Sequence, residues 1–277
     1  MTLREAIAEA STHIATRDAE TLLAHILDRN RAWLLAHTDD PLSAEHLAQL
    51  RVLTTRRAAH EPLQHLTGQQ EFFGITLRVT PDTLIPRPET ELLVEAVLNF
   101  VAEKPATIHP LQILDVGTGT GAIPIALAMH LPTAHLTAVD ISPAALAIAH
   151  ENATHHHVAN RIQFFESDLL ASVKGHFDII VSNPPYVSLA DAPTLAPEVR
   201  DHEPHLALFA GNDGLEVYRR LIPQAYAALL TGGLLALEIG FGQSESIRAL
   251  LSETPWQKIR ILDDYAGIPR VVLAERN

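Results

Sequence analysis

The residues best suited to chemistry follow the largely apolar segment 177–181. They are Asn183, Pro184, Pro185 and Tyr186. Neither proline has an N–H to donate, and each pushes the residue before it into an extended conformation, so a strand must end here in a stiff corner. The Asn183 amide can both accept and donate, and Tyr186 adds an aromatic face. Such a corner suits a planar group that bears NH2, although Asn-Pro and Pro-Pro are also common in simple turns.

The glycine-rich segment 115–122 is a second candidate site. An apolar strand is predicted to end at Asp115, and a helix is predicted to begin near Gly121. Glycine lets the backbone approach a ligand closely where a side chain would collide. Gly117, Gly119 and Ala122 also fit the dinucleotide fingerprint GxGxxA, so this segment alone leaves a nicotinamide cofactor open.

Acidic residues end the next two predicted strands. Asp140 follows the strand 135–139 at the offset expected of a ribose-binding acid, and its carboxylate could accept both ribose hydroxyls of an adenosine. Asp168 and Leu169 follow a third strand and could contact the adenine amine and the adenine face. Each aspartate could instead be a helix cap. Three acidic strand ends in register, with Asp115 as the first, favour one shared site.

Composition narrows the class of protein. The 277 residues carry a formal charge of −13 and are 47% hydrophobic, which indicates a folded, soluble protein and disfavours tight binding to a phosphate backbone. The absence of cysteine excludes disulfides, thiolate metal sites and a cysteine nucleophile. The run 155–157 of three histidines is interpreted as a solvated turn, and no metal site is expected. Without a signal peptide or a transmembrane run, the expected location is the cytoplasm.

The first 60 residues are predicted to be helical, because apolar residues recur at spacings of three and four. A third helix is expected to start with Ser43 as its N-cap. Over 71–80 the apolar period changes to two, which predicts a hairpin with Gly74 at a bulge or turn. The residues expected on its buried face are Phe73, Ile75, Leu77 and Val79. The double-proline segment 84–91 is expected to lead into a helix.

From Leu111 onward, predicted strands alternate with predicted helices, which indicates an α/β fold with a parallel, doubly wound sheet. The connection 187–214 is long and contains prolines, and such loops are usually lids or binding loops. After it, a helix is expected to run to Leu230, and a turn at 231–233 is expected to lead into a strand over 234–239. The last two strands are expected at 258–262 and 270–274.

With these pieces placed, the chain resembles the class I S-adenosylmethionine-dependent methyltransferases, and more narrowly the PrmC/HemK family, which methylates the glutamine of peptide chain release factors. The motifs that carry the resemblance are EFFG, LIPRPETE, DVGTGTGAI, AVD, IVSNPPYV, FAGNDGL, LEIG followed by Gln243, and AGIPRVV. They span nearly the whole chain, and LIPRPETE together with NPPY is far more specific than either the glycine-rich loop or NPPY alone. The resemblance implies a seven-stranded sheet with one reversed strand. It also implies a helical substrate-docking domain (1–70), a hairpin linker (71–83) and a methyltransferase domain (84–277).

The resemblance further implies roles for individual residues. The acceptor would be held by Asn183, Pro184, Pro185 and Tyr186. The cofactor would be bound by Gly117, Thr118, Gly119, Thr120, Gly121, Asp140, Asp168, Leu169 and Asn183. A wall of the active site, rather than a simple linker, would be formed by Arg87, Pro88, Glu89 and Thr90.

The implied reaction moves a methyl group from S-adenosylmethionine to the side-chain amide nitrogen, N5, of the glutamine in the GGQ motif of class-1 peptide chain release factors. S-adenosylhomocysteine would be the second product. A monomer without stable nucleic-acid or membrane binding is expected. A DNA adenine or RNA guanine N-methyltransferase is the main rival hypothesis, since it must also hold a planar NH2, but it predicts a basic groove. Two weaker hypotheses are a scaffold that binds the cofactor without methyl transfer and a nicotinamide dehydrogenase.

Overall fold

The computed structural model describes residues 1–104 and 109–277, which divide into two compact units. A helical unit comprises Met1–Gln69 and Ala196–His202, and a larger α/β unit comprises Gln70–Leu195 and Glu203–Asn277. In chain order, the α-helices of the described residues are α1 (Leu3–Ala10), α2 (Thr16–Ile26), α3 (Arg31–Ala36), α4 (Ala44–Ala58), α5 (Leu63–Thr67), α6 (Glu91–Glu103), α7 (Ala122–His130), α8 (Pro143–His155), α9 (Pro197–His202), α10 (His205–Leu208), α11 (Glu216–Ala228) and α12 (Ser244–Ser252). The strands are β1 (Gln69–Phe72), β2 (Ile75–Arg78), β3 (Gln112–Val116), β4 (His135–Asp140), β5 (Ile162–Glu166), β6 (Phe177–Ser182), β7 (Leu229–Glu238), β8 (Trp256–Asp263) and β9 (Pro269–Arg276).

Short amphipathic helices build the helical unit around a small apolar core that includes Leu22 of α2 and Leu34 of α3. Ser43 accepts a hydrogen bond from His46 N at 3.1 Å and caps α4, as predicted. This helix is the fourth rather than the third, because the six-residue α3, capped by Asn30, is too short to be found from apolar spacing. Within 1–104 and 109–277, no helix is both long enough and apolar enough to cross a membrane.

The α/β unit contains a seven-stranded sheet in the order β5-β4-β3-β6-β7-β9-β8, and β1 and β2 form a separate hairpin. The five strands β5, β4, β3, β6 and β7 are parallel to one another. Strand β9 runs antiparallel to both β7 and β8. The predicted doubly wound α/β sheet with one reversed strand is therefore confirmed. The chain moves outward from β3 to β5 and then returns to β6 on the other side of β3. This reversal creates a topological switch point, where open α/β sheets bind their ligands.

The central strands are buried on both faces, which explains their almost unbroken apolar sequence. In β6, Ile179 and Val181 pack into one apolar cluster and Ile180 packs into the other, each without exposed surface. The neighbouring strand β3 divides in the same way between Ile113 and Leu114. Two apolar layers therefore hold β3 and β6 in place, and with them the turns that follow.

The hairpin turns at Gly74, as predicted, but its buried phenylalanine differs from the prediction. Strand β1 ends at Phe72 and β2 begins at Ile75, while Phe73 and Gly74 between them have φ of 51° and 75°. Phe72 is buried in place of Phe73, although Ile75 and Leu77 face the core as predicted. A two-residue turn with positive φ interrupts the alternation, so a period-two pattern continued through it assigns Phe73 to the wrong position.

Two later segments also differ from the prediction. The connection 187–214 is not an irregular loop, because it contains the 3-10 helix Leu189–Thr194 followed by α9 and α10. Helix α11 ends at Ala228, two residues before the expected end at Leu230. The residues expected as a turn at 231–233 lie inside β7, where the pairing with β6 shifts register. Glycines at such an irregularity are compatible with a strand as well as with a turn.

Asn152 of α8 joins the hairpin to the glycine-rich turn after β3. Its Nδ2 donates to Arg78 O at 3.0 Å and to Thr120 O at 2.9 Å, and its Oδ1 accepts from Arg78 N at 2.8 Å. The side chain is only 3% exposed, so water cannot replace these partners. Asn152, which no sequence pattern singled out, therefore holds the glycine-rich turn in position from α8.

We expect Asn152→Asp to lower the free energy of unfolding by about 1–3 kcal/mol. The substitution removes both donated protons and turns a carboxylate oxygen toward two carbonyl oxygens. Urea-induced unfolding should show this loss, and Asn99→Asp on the exposed side of α6 is the matched control. Equal unfolding midpoints for the two variants would contradict the structural role of Asn152.

Candidate active site

The two turns that the sequence singled out lie side by side at the switch point. Strands β3 and β6 pair with Asp115 opposite Val181, and Ser182 Oγ donates to Val116 O at 2.6 Å. A cavity of about 340 Å³ opens at this edge of the sheet. The predicted site residues that line it are Gly117, Gly119, Asp140, Asp168, Leu169, Asn183 and Pro185. The structure thus brings together residues from the ends of four parallel strands.

The glycine-rich turn follows β3 with a tightly bonded backbone. Gly117 N and Thr118 N both donate to Val139 O, at 2.8 and 2.9 Å. Gly121 has φ of 80°, and a Cβ there would lie 3.1 Å from Ala149 Cβ of α8. Of the five predicted residues in the turn, only Gly117 and Gly119 line the cavity, while the side chains of Thr118 and Thr120 are buried. The turn therefore presents backbone rather than side chains to a ligand.

Asp140 ends β4 beside this turn and is held by backbone donors. Its Oδ2 accepts from Gly119 N and its Oδ1 accepts from Ser142 N, both at 2.9 Å. Burial raises the pKa of this carboxyl, and the backbone hydrogen bonds from Ser142 and Gly119 partly offset the rise. Each oxygen keeps a further lone pair, so the carboxylate can still accept hydroxyl groups from a ligand in the cavity.

The three acidic strand ends are not in register, contrary to the prediction. Asp115 lies opposite Ala138 inside the sheet, Asp140 lies opposite Glu166, and Asp168 lies two residues beyond the end of β5. The stagger gives each carboxyl a different environment. Asp115 is fully buried, whereas Asp168 is exposed and forms an ion pair with Arg220 at 2.5 Å.

Asp115 is a buried acid without a regular hydrogen bond. Neither of its oxygens has a hydrogen-bond partner in the described part of the chain, and the neighbouring Thr118 hydroxyl has none either. Burial raises the pKa of Asp115 to about 7, the nearby Thr118 side chain partly offsets the rise, and the charge of Asp140 adds to it. Such a carboxyl, one residue before the cavity-lining Val116, is suited to a ligand that carries positive charge.

The Asn-Pro-Pro-Tyr corner follows β6 and is held from two sides. Asn183 Nδ2 donates to Thr90 Oγ1 at 3.0 Å, and Thr90 Oγ1 donates to Glu238 Oε2 at 2.7 Å. Tyr186 OH donates to Glu238 Oε1 over a longer distance of 3.4 Å. Burial raises the pKa of Tyr186, and the Glu238 carboxylate raises it further. Pro184 is buried, and the cavity is lined by Asn183 and Pro185 rather than by Pro184 or Tyr186.

Glycines allow the chain to pass close to Tyr186. A Cβ on Gly214 would lie 2.3 Å from Tyr186 O, and a Cβ on Gly240 would lie 2.9 Å from Tyr186 Cδ2. Gln243 Nε2 donates to Tyr186 O at 2.9 Å, and its Oε1 accepts from Gly240 N at 2.9 Å. The motifs FAGNDGL and LEIG with Gln243 therefore enclose the corner.

The predicted active-site wall, Arg87 to Thr90, divides into two parts. Arg87 pairs with the buried Glu203, whose other oxygen accepts from Ile85 N at 3.1 Å. Pro88 and Glu89 are exposed, and Thr90 is buried against the Asn183 amide. None of the four residues lines the cavity.

Sequence reasoning missed Glu238 and Glu203 as functional candidates. Both are acids with under 5% exposure, and both hold segments that lead into the site. A usable signal for Glu238 was a carboxylate at the end of the apolar strand LLALE, where a buried acid needs partners. Glu203 lies in a connection without periodicity, and only the folded structure reveals its partner.

The histidine run lies away from the cavity. His155 ends α8, and His156 Nε2 bonds to Thr76 O at 2.8 Å on the hairpin. Across 1–104 and 109–277, no group of three or more His, Asp or Glu side chains is arranged to hold a metal ion.

Comparison with known proteins assigns the chain to a class. Residues 90–198 match the family model described as Methyltransferase small domain, and residues 2–68 match the PrmC N-terminal domain. The T. thermophilus 16S rRNA N2 G1207 methyltransferase, solved with AdoMet and guanosine, has a TM-score of 0.57 at 22% identity, over 76% of this chain and 50% of that one. The doubly wound sheet with its reversed strand and the glycine-rich turn at the switch point are those of a class I methyltransferase.

Full-length relatives narrow the class to a family. The release factor glutamine methyltransferase of Cereibacter sphaeroides is 44% identical over 97% of this chain and 94% of its own length. The Escherichia coli protein of the same name is 41% identical over 98% of this chain and 96% of its own length. The chain belongs to the release factor glutamine methyltransferase family. Membership of a methyltransferase family implies S-adenosylmethionine as the methyl donor.

The site fits that cofactor in two respects. The sulfonium and ammonium groups of S-adenosylmethionine are positive, and Asp115 is a buried carboxyl without a partner among the described residues. The backbone of Gly117 and Gly119 reaches the cavity without side chains in the way, and Asp140 lies beside it.

We expect Asp115→Asn to change how stability depends on pH in the absence of cofactor. The ordinary pKa of 3.8 applies to the unfolded chain and about 7 to the folded one, so the unfolded state releases the proton first. The wild type therefore loses stability as the pH rises from about 4 to about 7, and the variant lacks this loss. From about pH 5 to about pH 8, the unfolding free energy should shift in favour of the variant by on the order of 1–4 kcal/mol.

Urea unfolding at several pH values measures this shift, with Asp263→Asn on β8 as a control for the substitution itself. A difference between Asp115→Asn and wild type that stays constant with pH would show that Asp115 does not retain its proton on folding.

Proposed function

We propose that this chain transfers a methyl group from S-adenosylmethionine to N5 of the glutamine side chain in the GGQ motif of class-1 peptide chain release factors, and thereby modulates translation termination. The supporting comparison is the set of full-length relatives that carry the name release factor glutamine methyltransferase. The observation in the structure that carries the proposal is the orientation of Asn183. Its Nδ2 is bound by Thr90, so its Oδ1 remains to accept an N–H from a carboxamide.

The residues along the cavity would hold the cofactor. The backbone from Gly117 to Gly121 would lie against its methionine end, and the nearby Asp115 carboxyl would compensate its positive charge. Asp140 accepts the ribose hydroxyls, since both of its oxygens are oriented by backbone N–H groups and keep free lone pairs. Leu169 packs on the adenine, and Asp168 accepts from the adenine amine when its exposed ion pair with Arg220 opens.

The group that receives the methyl is a carboxamide nitrogen, which is a poor nucleophile because its lone pair is delocalised into the carbonyl. The cofactor supplies an electrophilic methyl group. Asn183 Oδ1 and the Pro184 carbonyl, which lies outside any helix or strand, each accept one N–H of the glutamine amide. These two acceptors direct the nitrogen toward the methyl group and localise part of its lone pair. Such alignment of two reactants can be worth roughly 7 to 11 kcal/mol.

The remaining steps need no strong base. The N–C bond forms as the S–C bond breaks, which leaves S-adenosylhomocysteine and a cationic amide. That amide is far more acidic than the substrate and loses its extra proton through the acceptors to water. Pro185 and Tyr186 exclude water from the corner during transfer, which strengthens the hydrogen bonds there.

We assign docking of the release factor to the helical domain, residues 1–70, with the hairpin 71–83 as linker to the methyltransferase domain, 84–277. The match of residues 2–68 to the PrmC N-terminal domain supports a separate role for this part. A monomer, a cytoplasmic location and the absence of stable nucleic-acid binding remain predictions. The excess of 33 acidic over 20 basic residues supports the last of these.

We expect label from methyl-labelled S-adenosylmethionine to enter a purified release factor that bears its GGQ loop. The same factor with that glutamine replaced should remain unlabelled, as should duplex DNA and ribosomal RNA. Digestion and mass spectrometry should place the methyl group on the glutamine N5. Label on nucleic acid but not on the factor would show that the corner serves a base amine, and the proposed function would then be wrong.

We expect Asn183→Ala to lower kcat by at least about 100-fold, because one of the two amide acceptors is lost. Cofactor affinity, measured by calorimetry, should change by less than about threefold, since the methyl acceptor rather than the cofactor depends on this oxygen. Asn99→Ala on α6 is the matched control. Turnover within a fewfold of wild type in Asn183→Ala would exclude Asn183 as the acceptor of the amide N–H.

A further inference from the structure

A buried polar cluster lies behind the Asn-Pro-Pro-Tyr corner, at the end of β7. Glu238 is 1% exposed and is the last residue of this strand. Strands β6 and β7 pair with Ser182 opposite Leu237, so Glu238 lies next to the strand end that leads into Asn183. Its carboxylate is bound by Thr90 on one oxygen and by Tyr186 on the other. Tyr218 OH donates to its backbone carbonyl at 2.7 Å, which fixes the main chain at this point.

The direction of the hydrogen bonds in this cluster follows from counting protons. A threonine hydroxyl has one proton, and Thr90 donates it to Glu238 Oε2 at 2.7 Å. The hydroxyl oxygen can then only accept, so its contact with Asn183 at 3.0 Å requires the NH2 group of Asn183. The reversed amide orientation would place Asn183 Oδ1 against an oxygen without a proton. Glu238 therefore determines which end of the Asn183 amide faces away from Thr90.

Above its pKa, the Glu238 carboxylate enforces this direction, because the ionised group accepts hydrogen bonds and has none to donate. Burial raises the pKa of Glu238 to about 7, while the Thr90 hydroxyl and Arg270 lower it and the charge of Glu89 raises it. Burying an acid costs free energy, and buried acids with raised pKa values are found most often at functional sites. The methyl transfer itself does not use this carboxylate, so its purpose lies in the groups that it holds.

We propose that Glu238 and Thr90 are positioning residues, which act through one relayed hydrogen bond to keep the Asn183 carbonyl oxygen turned toward the substrate amide. This inference rests on the proposed role of Asn183 as acceptor. It predicts that the Thr90 hydroxyl, rather than the volume of the side chain, sets the rate of methyl transfer. Without that hydroxyl, Asn183 can turn its NH2 group toward the substrate, where it would oppose another NH2 group.

The kinetic test compares Thr90→Val, which keeps the branched shape and loses the hydroxyl, with Thr90→Ser, which keeps the hydroxyl. We expect Thr90→Val to lower kcat roughly 10- to 100-fold, as when a residue that orients a functional group is removed. The KM for the release factor and the Kd for S-adenosylmethionine should change less than about threefold. Thr90→Ser should retain kcat within about threefold of wild type.

The matched control is Thr137→Val in β4. Thr137 is a half-buried threonine of the same sheet that does not line the cavity and has no assigned role in binding or transfer. The same substitution should therefore leave turnover unchanged. Thermal unfolding of each variant confirms that the rates compare folded proteins. Folded Thr90→Val with kcat within about twofold of wild type, or folded Thr90→Ser as slow as Thr90→Val, would overturn the proposal.

A second measurement does not depend on the reaction. In the protein without substrate, the side-chain NH2 protons of Asn183 are observed by NMR and assigned by their absence in Asn183→Ala. One of them should be protected from solvent exchange in wild type and Thr90→Ser, and protection should be lost in Thr90→Val. Equal exchange in all three proteins would overturn the relay even if the release factor is methylated. If the Asn183 NH2 proton is protected but no methyl label enters the release factor, the proposed function is wrong and the hydrogen-bond relay still stands.

Discussion

The site depends on one geometric constraint, the pairing of β3 with β6 in the middle of the sheet. Because these parallel strands lie side by side with Asp115 opposite Val181, the turns that follow them start from neighbouring positions. The Ser182 hydroxyl, bonded to Val116 O at 2.6 Å, ties the two strand ends together at that point. One turn can approach a ligand with bare backbone, and the other is a stiff corner with free acceptors. A methyl donor and a methyl acceptor can therefore be brought together by strand register alone.

Burial gives two carboxyl groups of the site similar pKa values and different roles. The pKa values of Asp115 and Glu238 are both raised to about 7 by burial. Asp115 has no hydrogen-bond partner in the described residues, so it is suited to compensate a charge that arrives with the cofactor. Glu238 is bound by Thr90 and Tyr186, so its charge is already used to order hydrogen bonds. In the proposed function, the same physical effect supports cofactor binding in one place and orientation of Asn183 in the other.

The Asn-Pro-Pro-Tyr corner is held firmly on the side of Tyr186, because the neighbouring chain is closely packed there. Gly214 and Gly240 leave no room for a Cβ beside Tyr186, and Gln243 bonds to Tyr186 O and Gly240 N. In the proposed mechanism, the corner presents its oxygens to a poor nucleophile and benefits from this rigidity, since misplacement by a fraction of an ångström weakens both hydrogen bonds. This packing explains the glycines at positions 214 and 240.

The sequence by itself determined the sheet class, the cofactor turn and the corner, because each depends on local properties: alternating βα segments, glycines after Asp115, and prolines that end β6. The motif resemblance extended this to the family and the reversed strand β9. Local patterns gave wrong predictions where strand pairing decides the structure. They assigned the buried position to Phe73 instead of Phe72, and they assigned a turn to glycines that lie inside β7. Only the tertiary structure revealed that Glu238, 55 positions after Asn183 in the chain, is linked by hydrogen bonds to its amide through Thr90, 93 positions before it. Hydrogen bonds between distant segments leave no periodic trace in a sequence, whereas strand ends and turns do.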